Sequence, residues 1–415
     1  MNDRVEPDLT APGFLAHPHP VLEELRVVDP VQYNEQLRSW LVLSGPEVEE
    51  GLRSPHLSAD AVPAFMSRLP DGERRSLRRL EDFFRAWMVF SDPPDQQRVR
   101  RAFAGSFTAR AVQAYIPDMR QRADRLVAAL GEAEGRTVDL VTEFARPYAA
   151  DVTCLALGIA DDARAAVQDQ AGRLLAFIAT PEPRADLGVT ALAALDAIGG
   201  HVADRLARDR TDDLLVAGAA EGRLSELEVV AAFAQLLTGG VDPLTHAVAA
   251  ALHQLPQAGF PEEVRRQRLW VEESLRMSCP FRFVPRVARE DLKLGSRLVP
   301  AGDRVLLLLT AANRDPATYV EPHAFDGSRS NADRHLTFGR GGHYCLGAPI
   351  TREALRTAVQ AACDAGWTRA VLAGPVTRRS SDLGTEALES LPVRLPRRRG
   401  PSEQNGHGRL LDGEP

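Results

Sequence analysis

The segment His335-Leu-Thr-Phe-Gly-Arg-Gly-Gly-His-Tyr-Cys345-Leu-Gly-Ala-Pro-Ile350 sets one cysteine among closely spaced glycines and aromatic residues. Thiolates are nucleophiles and soft metal ligands, so the chemistry of this chain is to be sought at Cys345. Gly339, Gly341, Gly342 and Gly347 surround it, and glycine allows backbone conformations and close approaches that other residues forbid. The combination suits a flat, bulky group lying against the backbone while the thiolate ligates its metal. Amide N–H groups of the loop could point at the sulfur and temper its electron donation. Phe338 would pack against the flat face, and Leu346-Gly347 would open a helix with room beside it. Two other chemistries use these residue types. Zinc takes about four N/S ligands, but Cys154, Cys279 and Cys363 are scattered and form no C-x-x-C pair. A cysteine nucleophile could take His343 as its base, which leaves the glycines without a role.

Spelled as F-G-x-G-x-H-x-C-x-G, the loop resembles the haem-binding loop of the cytochrome P450 family. The resemblance implies that Cys345 is the proximal ligand of haem b (iron protoporphyrin IX). It also implies that His343 helps to hold a propionate, with Phe338 and Gly339 against the ring. Glu273-Ser-Leu-Arg276 resembles the family's E-x-x-R helix, whose pair locks onto an arginine ahead of the Cys loop; Arg329 is the candidate partner. Ser91-Asp-Pro-Pro-Asp-Gln-Gln-Arg-Val-Arg100 resembles D-P-P-[ED]-H-x-x-x-R. Arg100 matches a propionate ligand there, and Gln96 stands at the His position, where an ionic contact becomes a neutral hydrogen bond. Arg286, in Val284-Pro-Arg-Val-Ala288, resembles the arginine that reaches the other propionate. Arginine suits such posts because its fork binds carboxylates bidentately.

The stretch Leu236-Leu-Thr-Gly-Gly-Val-Asp-Pro-Leu-Thr-His246 resembles the middle of the distal helix over the iron, with the pattern [AG]-G-x-[DE]-T. Gly239, Gly240 and Asp242 fit, and Pro243 stands where the threonine belongs. The acid–alcohol pair of that pattern delivers protons to bound oxygen. Proline has neither hydroxyl nor N–H, and it frees the carbonyl of Gly239, so the helix is expected to open there. Asp242 could still relay protons through water, with Thr245 and His246 within a turn of it.

These residues need a frame. Glu226–Leu255 is apolar nearly all round and should run through the centre of the molecule. Met119–Leu130, Phe144–Leu157, Leu192–Leu206, Glu262–Met277 and Ile350–Ala365 read as further helices. Ser39-Trp-Leu-Val-Leu43, Arg286–Val305 and Val376–Leu395 read as short strands. The pattern predicts a mainly α protein with minor β. By resemblance it is a cytochrome P450-like fold, one large domain with haem between the central distal helix and the helix after Cys345. The domain is expected over 15–395, between a flexible N-terminus (1–14) and a disordered tail (396–415).

Net charge is −7 with no basic block in the body, which argues against nucleic acid as a partner. No N-terminal apolar segment and no run of 18 apolar residues is visible, so a cytoplasmic, non-membrane protein is expected. One lysine, Lys293, among 50 cations points to a GC-rich bacterial genome. The reading implied is a haem-thiolate monooxygenase acting on a small, moderately apolar substrate, of the natural-product kind common among such bacterial members. Phe65, Phe83, Phe84, Trp87 and Phe90, with Phe177–Ile178, Phe281–Val284 and Thr385–Leu388, would line its pocket. No flavin or reductase segment is visible, so a ferredoxin and its reductase are implied as electron donors, docking near Arg101, Arg352 and Arg356. The chain is expected to be a monomer. Rival readings are a peroxide-using or rearranging haem-thiolate enzyme, suggested by Pro243, and a non-catalytic haem-binding sensor or scaffold.

Overall fold

The computed structural model describes residues 7–131, 136–180, 182–208, 214–379 and 383–396. The helices that position the site are, in chain order, α1 (Asp95–Ala104), α2 (Arg146–Ala156), α3 (Arg164–Ile178), α4 (Ala185–Ala207), α5 (Glu226–Ala258), α6 (Val264–Met277) and α7 (Ala348–Asp364). A five-stranded sheet lies beside them, built from β1 (Val31–Asn34), β2 (Ser39–Val42), β3 (Leu57–Ser58), β4 (Val284–Ala288) and β5 (Arg304–Leu307). Its spatial order is β1-β2-β5-β4-β3. β2 and β5 run parallel, with Trp40 opposite Val305, while β4 runs antiparallel to β5 and sets Arg286 opposite that same Val305. The mainly helical single domain expected from the sequence is what the chain forms.

α5 is the axis. Ser225 caps its start in a reciprocal box with Glu228, and Gly259 ends it at φ +62°, the left-handed region that glycine enters without penalty. Its flanking turns are wholly buried, Val229–Ala234 before the middle and Leu244–Ala249 after it. Each fully buried Val, Leu or Phe there contributes about 1.5–3 kcal/mol. α5 alone among the described helices has the length and hydropathy of a membrane span, and its apolar residues belong to the two large cores of the domain.

Three expectations need correction. α5 does not open at Pro243: it stays helical from Glu226 through Pro243 and Pro256 to Ala258. An interior proline costs about 3 kcal/mol, less than the burial of several large apolar side chains on either side of it. The N-terminus is not free up to residue 14, because Leu9 and Phe14 are buried and Pro12–Ala16 is helical. Residues 1–6 and 397–415 lie outside the described residues, and with them part of the expected N-terminal end and nearly all of the expected tail. The run expected as one helix over Phe144–Leu157 is a π-helical turn, Val141–Ala145, followed by α2.

Candidate active site

Cys345 stands at the mouth of α7, where the helix N-terminus favours negative charge. The loop before it closes on itself: the Cys345 N–H donates to the Phe338 carbonyl at 2.8 Å and the Gly339 N–H to Leu336 at 2.8 Å. Gly339 and Gly341 hold φ near +70°, which is why these positions require glycine. At Gly341 a side chain would also meet the Leu52 carbonyl at 3.0 Å. Burial pushes the Cys345 thiol up, while the Gly347 and Ala348 amides pointing at sulfur, with Arg100 and Arg352, pull it back down.

The loop is pinned from behind by α6. Glu272 binds Arg352 through both oxygens, at 2.5 and 3.0 Å, and accepts from His335 Nε2 at 3.0 Å. Burial raises the Glu272 carboxyl, and the bonds from His335 and Arg352 outweigh it, leaving it at about 2. Arg352 also reaches the Tyr344 hydroxyl at 3.1 Å and lies 4.7 Å from the centre of the Phe338 ring. One face of Phe338 is therefore taken by a guanidinium, and only a small part of that side chain is exposed. Glu272 was missed in the sequence reading, since nothing but its neighbour Glu273 drew attention to that helix. The expected triad is present: Glu273 receives Arg276 at 2.7 and 2.8 Å and Arg329 at 3.0 and 3.1 Å.

Beside the loop lies a cluster of uncompensated cations. Arg286 is buried on β4, and its bond to the neighbouring Pro285 carbonyl, 2.8 Å, involves no carboxylate. Burial pushes its guanidinium down to about 10. Arg100, half-buried on α1, makes no ion pair among the described residues, and burial lowers it too. His343 is held at about 4, by burial first and then by the charge of Arg286. Asp92 is the nearby carboxylate, and it is already paired with Arg289 at 2.6 Å. Gln96 is not aimed at this cluster in the expected way: its Nε2 donates to the Gly342 carbonyl at 2.9 Å, tying α1 to the Cys loop.

Above the loop, the middle of α5 is less covered than the turns that flank it. Gly239 is exposed, and a side chain there would meet nothing within 4 Å. Gly240 turns the other way: a Cβ would lie 2.7 Å from the Thr153 side chain, so this glycine lets α2 approach. Asp242 pairs with Arg146 of α2 at 3.2 Å, with 40% and 49% of the two side chains exposed. The Thr245 hydroxyl is spent on the Val241 carbonyl at 2.8 Å. His246 accepts the Leu388 N–H on Nδ1 at 3.2 Å and is buried.

Burial holds His246 at about 4, against an ordinary value of 6.5, with Glu386 opposing and Arg378, Arg379 and Arg282 adding to the depression. The folded chain thus keeps it neutral while the unfolded chain protonates it first. The stability this contributes is fully present above pH 6.5 and is lost as pH falls toward 4, about 3 kcal/mol in all. His246→Asn is expected to flatten the pH dependence of the denaturation midpoint across that window; an unchanged slope refutes the assignment.

The aromatic segment divides. Phe83, Phe84, Trp87 and Phe177 are core residues, with Phe84 stacked on Phe177 at 5.9 Å. Phe65 and Phe90 are half-buried at its edge. The arginines expected to meet a redox partner divide as well. Arg352 is occupied by Glu272 and Arg356 by Glu353 at 2.9 Å, while Arg101 is exposed.

A thiol under glycine turns, beside buried cations that lack anions, marks a helical protein built to seat an anionic, metal-bearing group. Comparison gives the family. A model described as Cytochrome P450 matches residues 268–361. Cytochrome P450-SU2 of Streptomyces griseolus is 32% identical over 369 residues, covering 85% of this chain and 87% of that protein. The 6-deoxyerythronolide B hydroxylase of Saccharopolyspora erythraea is 29% identical, over 67% of this chain and 71% of its own. The tirandamycin C-bound P450 monooxygenase TamI superposes with a TM-score of 0.79 at 30% identity, covering 93% of this chain and 99% of that one. The chain belongs to the cytochrome P450 family and is a monooxygenase of that family, whose members use haem b. The residues present fit that group. Two propionates would answer the charge of buried Arg286 and half-buried Arg100, and an iron would answer the half-buried thiol of Cys345.

Proposed function

We propose that this chain is a haem-thiolate monooxygenase in which Cys345 ligates the iron and Arg286, Arg100 and His343 hold the propionates. A small, moderately apolar substrate, of a natural-product kind, would be oxidised with dioxygen and electrons from a separate ferredoxin and ferredoxin reductase. The observation that carries this reading is the pairing of a half-buried thiol at a helix N-terminus with a buried, anion-free Arg286. When bound, haem b supplies oxygen activation, and the protein supplies orientation, water exclusion and protons. Cys345 would hold the iron, its electron donation tempered by the Gly347 and Ala348 amides.

Arg286 gives a test that needs no turnover. A buried guanidinium without its anion destabilises the apoprotein, so Arg286→Met is expected to leave the apoprotein as stable or more so in urea. The same change should weaken haem retention by roughly 10–100-fold, the loss of a charge-assisted hydrogen-bond pair. Haem transfer to apomyoglobin measures it; unchanged retention overturns the propionate role.

The distal helix shapes the rest of the mechanism. Pro243 cannot donate, Thr245 gives its proton to Val241, and Asp242 is engaged by Arg146. What α5 presents at its open stretch is an acceptor, the Gly239 carbonyl that Pro243 leaves without its helical N–H. That carbonyl would hold a water or a hydroxyl of the substrate, and that group would be the proton carrier on this side of the site. Pro243→Thr returns both an N–H and a hydroxyl to the helix. It is expected to cut the hydrogen peroxide released per NAD(P)H several-fold, and an unchanged ratio sinks the proposal that Pro243 limits proton delivery. The same residue favours a second reading, a peroxide-using enzyme. Turnover with hydrogen peroxide but not with ferredoxin and NAD(P)H would select it.

A further inference from the structure

Beside the last two turns of α5, well past Pro243, a crevice of about 260 Å³ opens. Its floor is Leu140, Leu252, Leu255, Trp367, Leu391 and Val393, all buried. That floor is built into the fold. Pro392–Arg394 is the middle strand of a three-stranded sheet, and its Val393 pairs with Val138 on one side and Leu372 on the other. The Leu140 N–H donates to the Leu391 carbonyl at 3.0 Å, and Trp367 stands edge-on to Phe144 at 5.1 Å. The mouth is apolar too: Val371 and Leu372, on an edge strand of that sheet, are 57% and 53% exposed. No charged side chain lines the crevice, and none of its residues belongs to the haem or substrate sites above.

A main-chain acceptor stands among these apolar walls. α5 is helical through Pro256, and proline has no N–H, so the Leu252 carbonyl four residues back lacks its helical donor. Residues i and i+4 share a helix face, and Leu252 and Pro256 both line the crevice. An ion finds no counter-charge here. A peptide finds an edge strand of two residues, Val371–Leu372, too short to recruit it by strand addition. A ring molecule with one donor answers both features. Its rings displace water from the apolar floor, and its donor replaces the water that hydrates the carbonyl. An apolar cavity of about 150 Å³ takes benzene, so a crevice of about 260 Å³ has room for two fused rings.

We propose that this crevice binds a one- or two-ring apolar molecule carrying a single N–H or O–H donor, a phenol or an indole, with that donor on the Leu252 carbonyl. The site stands independently of the haem-thiolate reading.

Equilibrium dialysis of the full-length, haem-loaded protein with indole and with 1-methylindole tests it. Indole is expected to bind. Ala370→Phe sets a ring into the crevice from its lining and should abolish that binding. 1-Methylindole has nearly the same shape without the N–H and should bind roughly 5-fold more weakly, the worth of one hydrogen bond. Pro256→Ala returns an N–H to the Leu252 carbonyl. It should weaken indole by the same factor and leave 1-methylindole unchanged. If Pro256 serves only to shape the helix end, both probes shift together or neither does, and either result overturns the donor contact. No indole binding, or binding that survives Ala370→Phe in full, overturns the site. Binding that appears only after residues 397–415 are removed assigns the crevice to the chain's own end and overturns it as well. Where Ala370→Phe fails to fold, a crystal structure with indole decides: a ring between Trp367 and Leu252 supports the site, and a ring elsewhere or none overturns it.

Discussion

Substituting Cys345 by serine is expected to abolish the strongly red-shifted Soret band of the reduced carbon-monoxide complex while leaving the fold intact. The loop does not depend on sulfur for its shape. Its closure rests on main-chain bonds, Cys345 N–H to Phe338 and Gly339 N–H to Leu336, and on two glycines near φ +70°. A serine hydroxyl can accept the same Gly347 and Ala348 amides that now point at sulfur. The stability change should therefore stay within about 1 kcal/mol, as for exchanging one modest hydrogen-bond set for another. What disappears is the soft, charge-donating ligand, which oxygen does not replace. Circular dichroism and the reduced carbon-monoxide spectrum, recorded on the same preparation, decide the matter. A serine variant that keeps the red-shifted band removes Cys345 from the iron. A variant that loses both the band and the fold would show that sulfur has a structural role the loop geometry does not reveal.

How far the sequence led differs between the two sides of the site. On the proximal side, the glycines around Cys345 could be read from the residues themselves, and the family resemblance supplied the roles of the E-x-x-R pair and of Arg286. Glu273, Arg276 and Arg329 meet as expected, and Arg286 stands buried and unpaired as its proposed role requires. Gln96 was harder to read, since a neutral amide near a loop can serve ring or backbone equally, and it serves the Gly342 carbonyl. On the distal side the local rule misled. Proline's cost to a helix is real, but α5 is buried on both flanks of Pro243, and tertiary packing outweighs one lost hydrogen bond and a ring clash. Gly240 has a packing role that no spacing announces: Thr153 of α2 lies where a side chain would stand. The aromatic run Phe83–Phe90 likewise gave no sign of which rings face inward to core. Glu272 and His246 draw their meaning from partners 63 to 142 positions away, a separation at which no periodicity carries information.

The proximal frame is also where a single uncharged substitution should do most damage. Glu273→Gln is expected to destabilise the protein by about 3–5 kcal/mol, the usual result of removing one partner from a buried ion pair. Glu273 and Arg276 are both 0% exposed, and Arg329 is 8% exposed. The glutamine would fit the space but leave two guanidiniums out of water with no charge to answer them. Against a net stability of roughly 5–15 kcal/mol for a whole domain, that is enough to impair folding and haem incorporation together. Replacing all three residues with apolar side chains often rescues such a triad in other proteins, and here it should not. Arg276 also donates to the carbonyls of Asn313, Pro322 and Ala324, and Arg329 to those of Val320, Glu321 and Ala324. Apolar replacements would orphan these main-chain acceptors along the stretch leading to the Cys loop, each at a cost of about 1–3 kcal/mol when buried. Urea midpoints for Glu273→Gln and for Glu273→Leu/Arg276→Met/Arg329→Met make the comparison. If the triple variant recovers the stability of the unaltered chain, the triad is an ion pair and nothing more. If it stays as unstable as Glu273→Gln or worse, the guanidiniums are there to organise the main chain that carries Cys345, and Glu273 is there to make their burial tolerable.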